Sequence, residues 1–401
     1  MGDYTQFMAE QESQISPEDE NYKEKLLAVA GSFRDFDKAL DEFIVQKGFE
    51  GDISDIDAKV KFIKGKFKDE EIPIENRNIK NWFVNHVRSD KRLIAFQFCF
   101  AFHLDIAETQ NFFRRIYLQR GIDCHDITEA IYYYCICHGL SYSQAQELIA
   151  KANPDSKKRP IDFNGDVLFT GTIIEEIDRF ETQEELLDFL DKNRAQFGYN
   201  NATAYRYINQ LWKLIGGPKG IANGEAKLLF PAEKVIEKNR AISDIYDQIF
   251  GFKDYDIYDK NSRLFKVKTD RTLQPILKGN SLIHPLASAS FPDRQGLDAI
   301  LKGNNKSPEV VRKTIILLAF YRYWAEICVK NNNLYCEAQP DETARCMASM
   351  NKMLTDAGYP ALYEGNPYDW IFMFAAQDAY PLDAFRFFMR ELYLNKAETE
   401  S

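Results

Sequence analysis

The sequence predicts an all-α protein, and three observations lead to that prediction. Apolar residues recur at helical spacing over residues 76–152 and again after residue 307. Residues typical of helix starts and ends separate these runs. Two stretches also resemble each other, one beginning at Glu129 and one at Asp369. We therefore expect helical bundles with an imperfect internal duplication.

Length and composition indicate a globular chain of more than one domain. Its 401 residues exceed the size at which single hydrophobic cores stop growing. Hydrophobic residues make up 45% of the chain, enough to bury a large core. No apolar run approaches the roughly 18 residues of a membrane span, and the N-terminus lacks an apolar signal core. The seven cysteines are odd in number and unevenly spread, so we expect reduced thiols and a cytoplasmic protein.

The net charge of −10 and the pI near 5.3 argue against a protein whose whole surface binds nucleic acid. A local basic patch is compatible with that charge. Residues 3–20 carry six acidic side chains and no Lys or Arg, which predicts an acidic solvated tail over residues 1–20.

Within the first apolar region we expect four short helices joined by short turns. The helix around Phe96–Phe102 is apolar on nearly every side and is expected to be buried. Asp105 begins the next helix, and Gly121 marks the turn that follows it. An apolar helix over Ala130–Cys137 comes next, and Ser141 has the capping-box spacing that opens the last one.

Breaks in this pattern divide the chain into four segments. The polar stretch Asn153–Pro160 interrupts helix twice and sets one boundary. A helix is expected after Thr182, and weak alternation over Tyr255–Thr269 permits a small β-hairpin. Ser307 and Pro308 begin a long C-terminal helix. The predicted segments are the tail at 1–20, an N-terminal helix-turn-helix-like bundle at 21–155, a mixed, mainly helical middle segment at 156–285 and a C-terminal bundle at 286–401.

The two similar regions share more than one pair of helices. Each begins with an Arg, continues through an apolar helix and reaches a second Arg. The first region has Arg77 and Arg92, which are 15 residues apart, and the second has Arg294 and Arg312, which are 18 apart. The duplication therefore requires an insertion.

A family resemblance follows from these residues. Arg77 is followed by Ile79 and by Trp82-Phe83, then by a basic residue that opens the next helix and by the Leu104-Asp105 helix start. Tyr363 to Asp369 forms a Tyr-x-x-Asp-like element. This pattern resembles the phage-repressor-like helix-turn-helix regulators of Gram-positive bacteria and their mobile elements. The resemblance covers residues 70–150 and, more faintly, 290–390. It implies a small all-α DNA-binding bundle that regulates transcription.

The charge pattern gives a candidate binding surface. Residues 76–120 contain eight basic and three acidic side chains, a local charge of +5. The basic ones are Arg77, Lys80, Arg88, Lys91, Arg92, Arg114, Arg115 and Arg120, and the acidic ones are Asp90, Asp105 and Glu108. Such a window would attract phosphates, and an aromatic side chain among the charges could stack on a base. The ordinary alternative is a set of solvated helix faces paired with acidic neighbours.

From this window we predict six nucleic-acid-binding residues. They are Arg77, Lys80, Trp82, Arg88, Lys91 and Arg92.

No catalytic, metal or cofactor site is predicted. None of the five histidines lies beside a characteristic Ser or Cys signature. A zinc site is an alternative, because thiols and imidazoles occur together at Cys99 and His103, Cys124 and His125, and Cys135, Cys137 and His138. No paired Cys-x-x-Cys spacing is present, so buried thiols are the ordinary interpretation.

The sequence therefore predicts a non-enzymatic DNA-binding regulator of phage or mobile-element origin, with no cofactor and no membrane partner. The alternative is a helical protein-interaction module that acts on a protein partner in phage defence or its inhibition.

Overall fold

The computed structural model describes residues 35–85, 92–154, 170–198, 201–229, 241–251, 294–304 and 307–386. All regular secondary structure within these ranges is helical, which confirms the predicted all-α fold. The hairpin predicted over Tyr255–Thr269 and the acidic tail lie outside the described residues.

The chain divides into two compact units, an N-terminal unit that ends at Ala202 and a C-terminal unit that begins at Thr203. This division differs from the boundaries predicted after residues 155 and 285. The helix Gln183–Lys192 packs against the helix Tyr142–Ala152. In addition, Arg194 donates hydrogen bonds to the carbonyls of Ala152 and Asn153. The residues up to 198 therefore complete the first bundle.

Nine α-helices form the N-terminal unit over its described residues. They are α1 (Phe36–Gln46), α2 (Ile56–Asp69), α3 (Asn76–Val84), α4 (Arg92–Ala101), α5 (Ile106–Arg115), α6 (Ile127–Cys137), α7 (Tyr142–Ala152), α8 (Thr170–Ile177) and α9 (Gln183–Lys192). Helices α4 and α6 are apolar on most sides and are buried, as their sequences predict. Aromatic rings dominate the core between them, with Phe96 and Tyr132 at a centroid distance of 4.7 Å.

The residues predicted to cap the helix N-termini form the local hydrogen bonds that their spacing predicts. Both halves of a capping box form at Asp105, at Ser141 and at Thr182. In each box the side chain at the cap accepts from a backbone amide, and the residue three positions later returns the hydrogen bond. Helix α2 begins differently, because Asp55 alone accepts from the amides of Asp57 and Ala58.

Seven α-helices make up the described part of the C-terminal unit. They are α10 (Ala202–Gly216), α11 (Ile221–Leu229), α12 (Ile242–Ile249), α13 (Arg294–Leu301), α14 (Pro308–Lys330), α15 (Pro340–Asp356) and α16 (Pro367–Ala375), and residues 381–386 are also helical. Helix α14 begins at the predicted cap, with the Ser307 hydroxyl accepting from the amide of Val310. It is the central helix of the unit, since α11, α15 and α16 all pack on it. Within the described residues, no helix combines the length and the apolar character that a membrane crossing requires.

An arginine–carboxylate pair joins α4 to α6 in the N-terminal unit. Arg92 meets Glu129 through two contacts, Nε to Oε1 at 2.7 Å and Nη2 to Oε2 at 2.8 Å. The same guanidinium donates to the carbonyls of Arg120 and Gly121. Glu129 also accepts from the backbone amide of Asp123. The arginine therefore holds the turn before α6 against the start of α4.

The C-terminal unit contains the same arrangement between α14 and α16. Arg312 meets Asp369 through Nη1 to Oδ1 at 2.6 Å and Nη2 to Oδ2 at 2.7 Å. Its Nη2 also donates to the carbonyls of Pro360 and Ala361. Asp369 accepts in addition from the backbone amide of Tyr363.

The two arrangements agree position by position. In each, the carbonyls that accept from the arginine lie nine and eight residues before the carboxylate, and the donating amide lies six before it. The helix cap lies three before it, Asp126 in one unit and Asn366 in the other. The arginine and the carboxylate are 37 residues apart in the first unit and 57 in the second. Longer helices supply much of that difference, because α14 and α15 have 23 and 17 residues where α4 and α5 have 10 each.

Candidate nucleic-acid interface

Two of the six predicted contact residues are in the wrong place for that role. Arg92 is ion-paired with Glu129, and its guanidinium carbon lies 4.8 Å from the centre of the Phe113 ring. Trp82 is 4% exposed and packs on Phe98 at a centroid distance of 5.2 Å. A phosphate cannot reach the first without displacing a carboxylate, and a base cannot stack on the second. The predicted roles of Arg92 and Trp82 are therefore wrong.

Another basic residue of the predicted window is also neutralised by an ion pair inside the fold. Arg120 is 4% exposed, and its Nη2 lies 2.6 Å from Asp123 Oδ2. Burial acts to raise the pKa of Asp123, but the charges of Arg120 and His125 outweigh it and hold that pKa well below its usual value. The carboxylate therefore stays charged and neutralises the arginine. The predicted contact residues Arg88 and Lys91 lie outside the described residues.

The remaining two predicted residues, Arg77 and Lys80, are exposed on α3. This short helix buries Ile79, Trp82 and Phe83 on one side and leaves the other side in solvent. Lys80 Nζ lies 3.1 Å from Asp57 Oδ1 at the start of α2. The pair is solvated and contributes little stability, but it shows that Lys80 borders α2.

A row of lysines on α2 extends the basic surface. Lys61, Lys64 and Lys68 are all exposed, and their spacing of three and four residues places them on one face of the helix. Asp57 shares that spacing, so the row begins beside Lys80. The apolar residues of α2, Val60, Ile63 and Phe67, are buried on another face. Packing thus separates the lysines from the core and presents them together.

We call the surface formed by Lys61, Lys64, Lys68, Arg77 and Lys80 the α2–α3 basic face. It carries five positive charges, and Asp57 supplies one negative charge within it. None of the three α2 lysines makes an ion pair with another described residue, and the same holds for Arg77. The acidic residues Asp69, Glu71 and Glu75 lie in and beside the turn between the helices. They bound the face at that end.

The three α2 lysines were missed by sequence reasoning, because the predicted window began at Asn76. The sequence of α2 did contain the pattern, since both its lysines and its apolar residues recur at helical spacing.

The residues of the zinc alternative do not converge over the described part of the chain. Cys99 is fully buried, and burial raises the pKa of its thiol to about 12, so it is neutral at ordinary pH. The His103 side chain at the end of the same helical region is 75% exposed. No group of three or more His, Cys, Asp or Glu side chains that could hold a metal ion occurs in the residues that the structure describes.

No protein-family model, curated protein or solved structure matches this chain.

Proposed function

We propose that this protein is a non-enzymatic DNA-binding regulator that holds DNA phosphates on its α2–α3 basic face. The observation that carries the proposal is the row formed by Lys61, Lys64 and Lys68, three exposed cations with no described acidic partner. Arg77 and Lys80 continue the row on the neighbouring helix. A phage or mobile-element origin stays a prediction from the family resemblance.

The dimensions of the row suit a nucleic-acid backbone. Lys68 lies seven positions after Lys61, which corresponds to a rise of about 10 Å along an α-helix. Lysine carries a compact charge on a flexible stem, so each ammonium group can reach a phosphate without exact registration of the backbone. Contacts of this kind fix the position of a protein on DNA and carry no sequence information.

The acidic net charge limits the form that binding takes. At −10 overall, the protein repels a polyanion at long range, and the attraction comes from one face only. Salt screens charges beyond about 10 Å at 0.1 M, which suppresses the long-range repulsion as well as the attraction. We therefore expect binding that needs close contact and that weakens steeply with added salt.

The proposal is tested by removing the lysine row and comparing it with an equal change of charge elsewhere. The test variant is Lys61→Gln, Lys64→Gln, Lys68→Gln. The control is Lys151→Gln, Lys213→Gln, Lys219→Gln, which removes three exposed lysines from other helices and loops. Affinity for a fluorescent 30-base-pair duplex is measured by anisotropy at about 50 mM salt, where phosphate contacts are strong.

We expect the test variant to bind at least about tenfold more weakly than the unmodified protein, and the control to stay within about twofold of it. Equal losses in the two variants would show a general charge effect and would overturn the proposal. The same conclusion would follow if the unmodified protein failed to bind duplex at low salt. The protein-interaction alternative would then be the function to pursue.

A further inference from the structure

Helix α3 presents an outer face with unusual polar chemistry. Its outer side carries the exposed Asn78, the half-buried Asn81, two exposed cations and the apolar Val84, and the exposed Asn85 follows at its C-cap. The polar residues are Arg77, Asn78, Lys80, Asn81 and Asn85. A solvated helix of ordinary composition uses Glu, Lys, Gln and Ala, because asparagine is a poor helix former. The asparagines of α3 therefore reduce its helix propensity, and burial of its apolar side must hold the helix in place.

Arg77 and Asn81 occupy the middle of that outer face. They are four residues apart, so their side chains project from the same side of α3. The buried residues Ile79, Trp82 and Phe83 lie on the opposite side. These two side-chain types have specific partners on the base edges of duplex DNA, because asparagine forms two hydrogen bonds with adenine and arginine forms two with guanine. Both partners are read in the major groove, which is about 12 Å wide and admits one α-helix.

A hydrogen bond on α3 orients the asparagine amide. The Nδ2 group of Asn85 donates to Oδ1 of Asn81 at 3.2 Å. An amide oxygen has two lone pairs, so Oδ1 can accept a second hydrogen bond, and the Asn81 NH2 group keeps its donors. One acceptor and one donor side by side are the groups that pair with N6 and N7 of adenine.

The same helices argue against a site for single strands. Single-stranded nucleic acid is held mainly by bases that stack on exposed aromatic rings. Among the aromatic residues of α2 and α3, Phe67, Trp82 and Phe83 are buried and Phe62 is half-buried. The face offers hydrogen-bonding groups and cations and no free ring.

We infer that α3 reads base edges in the major groove of duplex DNA, with Asn81 pairing with adenine and Arg77 with guanine. This inference rests on the proposed function, in which the lysines of the α2–α3 basic face hold the neighbouring phosphates, and it assigns Arg77 of that face to a base edge instead. It adds that the partner is a defined duplex sequence. Selectivity comes from the neutral amide of Asn81 and the planar guanidinium of Arg77.

Asn81 gives a clean test, since its removal changes no charge. The full chain is used to select bound duplexes from a randomised pool, and the selection is repeated with Asn81→Ala. Asn76→Ala is the matched control, because it also removes an asparagine amide without changing the charge, at the exposed start of α3 and away from the half-buried Asn81. Circular dichroism establishes that each variant is folded.

The unmodified protein should enrich a short motif that contains at least one fixed adenine. With Asn81→Ala, the preference at one such position should fall by about tenfold or more, while affinity for random duplex stays within about twofold. Arg77→Lys keeps the charge and removes the planar fork, so preference for one guanine should weaken. The control should enrich the original motif.

The two proposals fail in different ways. Binding to duplex without any enriched motif would overturn base reading by α3 and leave the phosphate-binding function standing. An unchanged motif in Asn81→Ala would also overturn the inference, and so would tighter binding of single strands than of duplex. Failure to bind duplex at low salt would overturn both proposals.

Discussion

Arg312 and Asp369 form a buried, two-pronged ion pair that fastens α14 to the start of α16. The arginine side chain is 3% exposed and the carboxylate is fully buried. Burial acts to lower the pKa of Arg312, but the charge of Asp369 outweighs it, so the guanidinium stays protonated. Every hydrogen bond of this pair has a counterpart around Arg92 and Glu129, and the backbone partners lie at the same sequence offsets from the carboxylate. The two units thus use one device to fix the turn before an apolar helix.

Breaking the buried pair should strongly destabilise the C-terminal unit. In Arg312→Met, Asp369 would be left charged and without its main partner, at a cost of about 3–5 kcal/mol. Urea unfolding followed by tryptophan fluorescence measures the loss. Arg312→Met combined with Asp369→Leu removes both charges and should recover a large part of it. A single variant as stable as the unmodified protein would contradict the assigned role of the pair.

Substitution of Arg92 should affect stability and leave DNA affinity unchanged. Arg92→Met leaves Glu129 without its strongest hydrogen-bond donors, a loss of roughly 2–3 kcal/mol for bonds to a charged group. The folded protein should bind duplex within about twofold of the unmodified protein, since Arg92 faces Glu129 and not the solvent. A tenfold loss of affinity in a folded variant would restore the original prediction that Arg92 contacts phosphate.

Four cysteines should resist alkylation in the folded protein. Burial raises the pKa of the Cys99, Cys135 and Cys346 thiols to about 12 and that of Cys328 to about 11. At pH 8 the reactive thiolate is then about one part in a thousand or less. Burial also raises the pKa of the Cys137 thiol, but this residue is exposed and should react before these four, which mass spectrometry of iodoacetamide-treated protein can show. Labelling of Cys99 at the rate of Cys137 in native protein would contradict the described core.

The Asp123 carboxylate should make the free energy of unfolding depend on pH in the acidic range. Because its folded-state pKa lies below the unfolded value of about 3.9, its contribution is present above that value and is lost as the pH falls through the folded pKa. Asp123→Asn should therefore be less stable at pH 7, by about 3–5 kcal/mol, because Arg120 is left buried without its charged partner. The difference should narrow as the pH approaches 2. Urea midpoints measured between pH 7 and pH 2 test this, and a constant difference would contradict it.

The fold class and many helix starts could be predicted because they depend on local pattern. The capping boxes at Asp105, Ser141 and Thr182 need residues only three positions apart, and all three form. The correspondence of Arg92 with Arg312, and of Glu129 with Asp369, was also visible in the sequence. Their pairing with each other was not, since partners 37 and 57 residues apart meet only through tertiary packing.

The candidate site was harder to predict because a sum of charges does not show which charges are buried. Arg92 and Arg120 raised the charge of the predicted window, although both are neutralised inside the fold. Lys61, Lys64 and Lys68 lay before the window and were left out. The hydrogen bonds of Arg194 to the end of α7 were not visible in the sequence for a related reason, since they span about forty residues.

The most direct test of the α2–α3 basic face is the salt dependence of duplex binding. The logarithm of the association constant is measured against the logarithm of salt concentration for the unmodified protein and for Lys61→Gln, Lys64→Gln, Lys68→Gln. If each lysine neutralises one phosphate, the slope should become shallower by about 2.7, which is roughly 0.9 for each lysine removed. An unchanged slope would contradict the account, because it would mean that these lysines do not touch the DNA backbone.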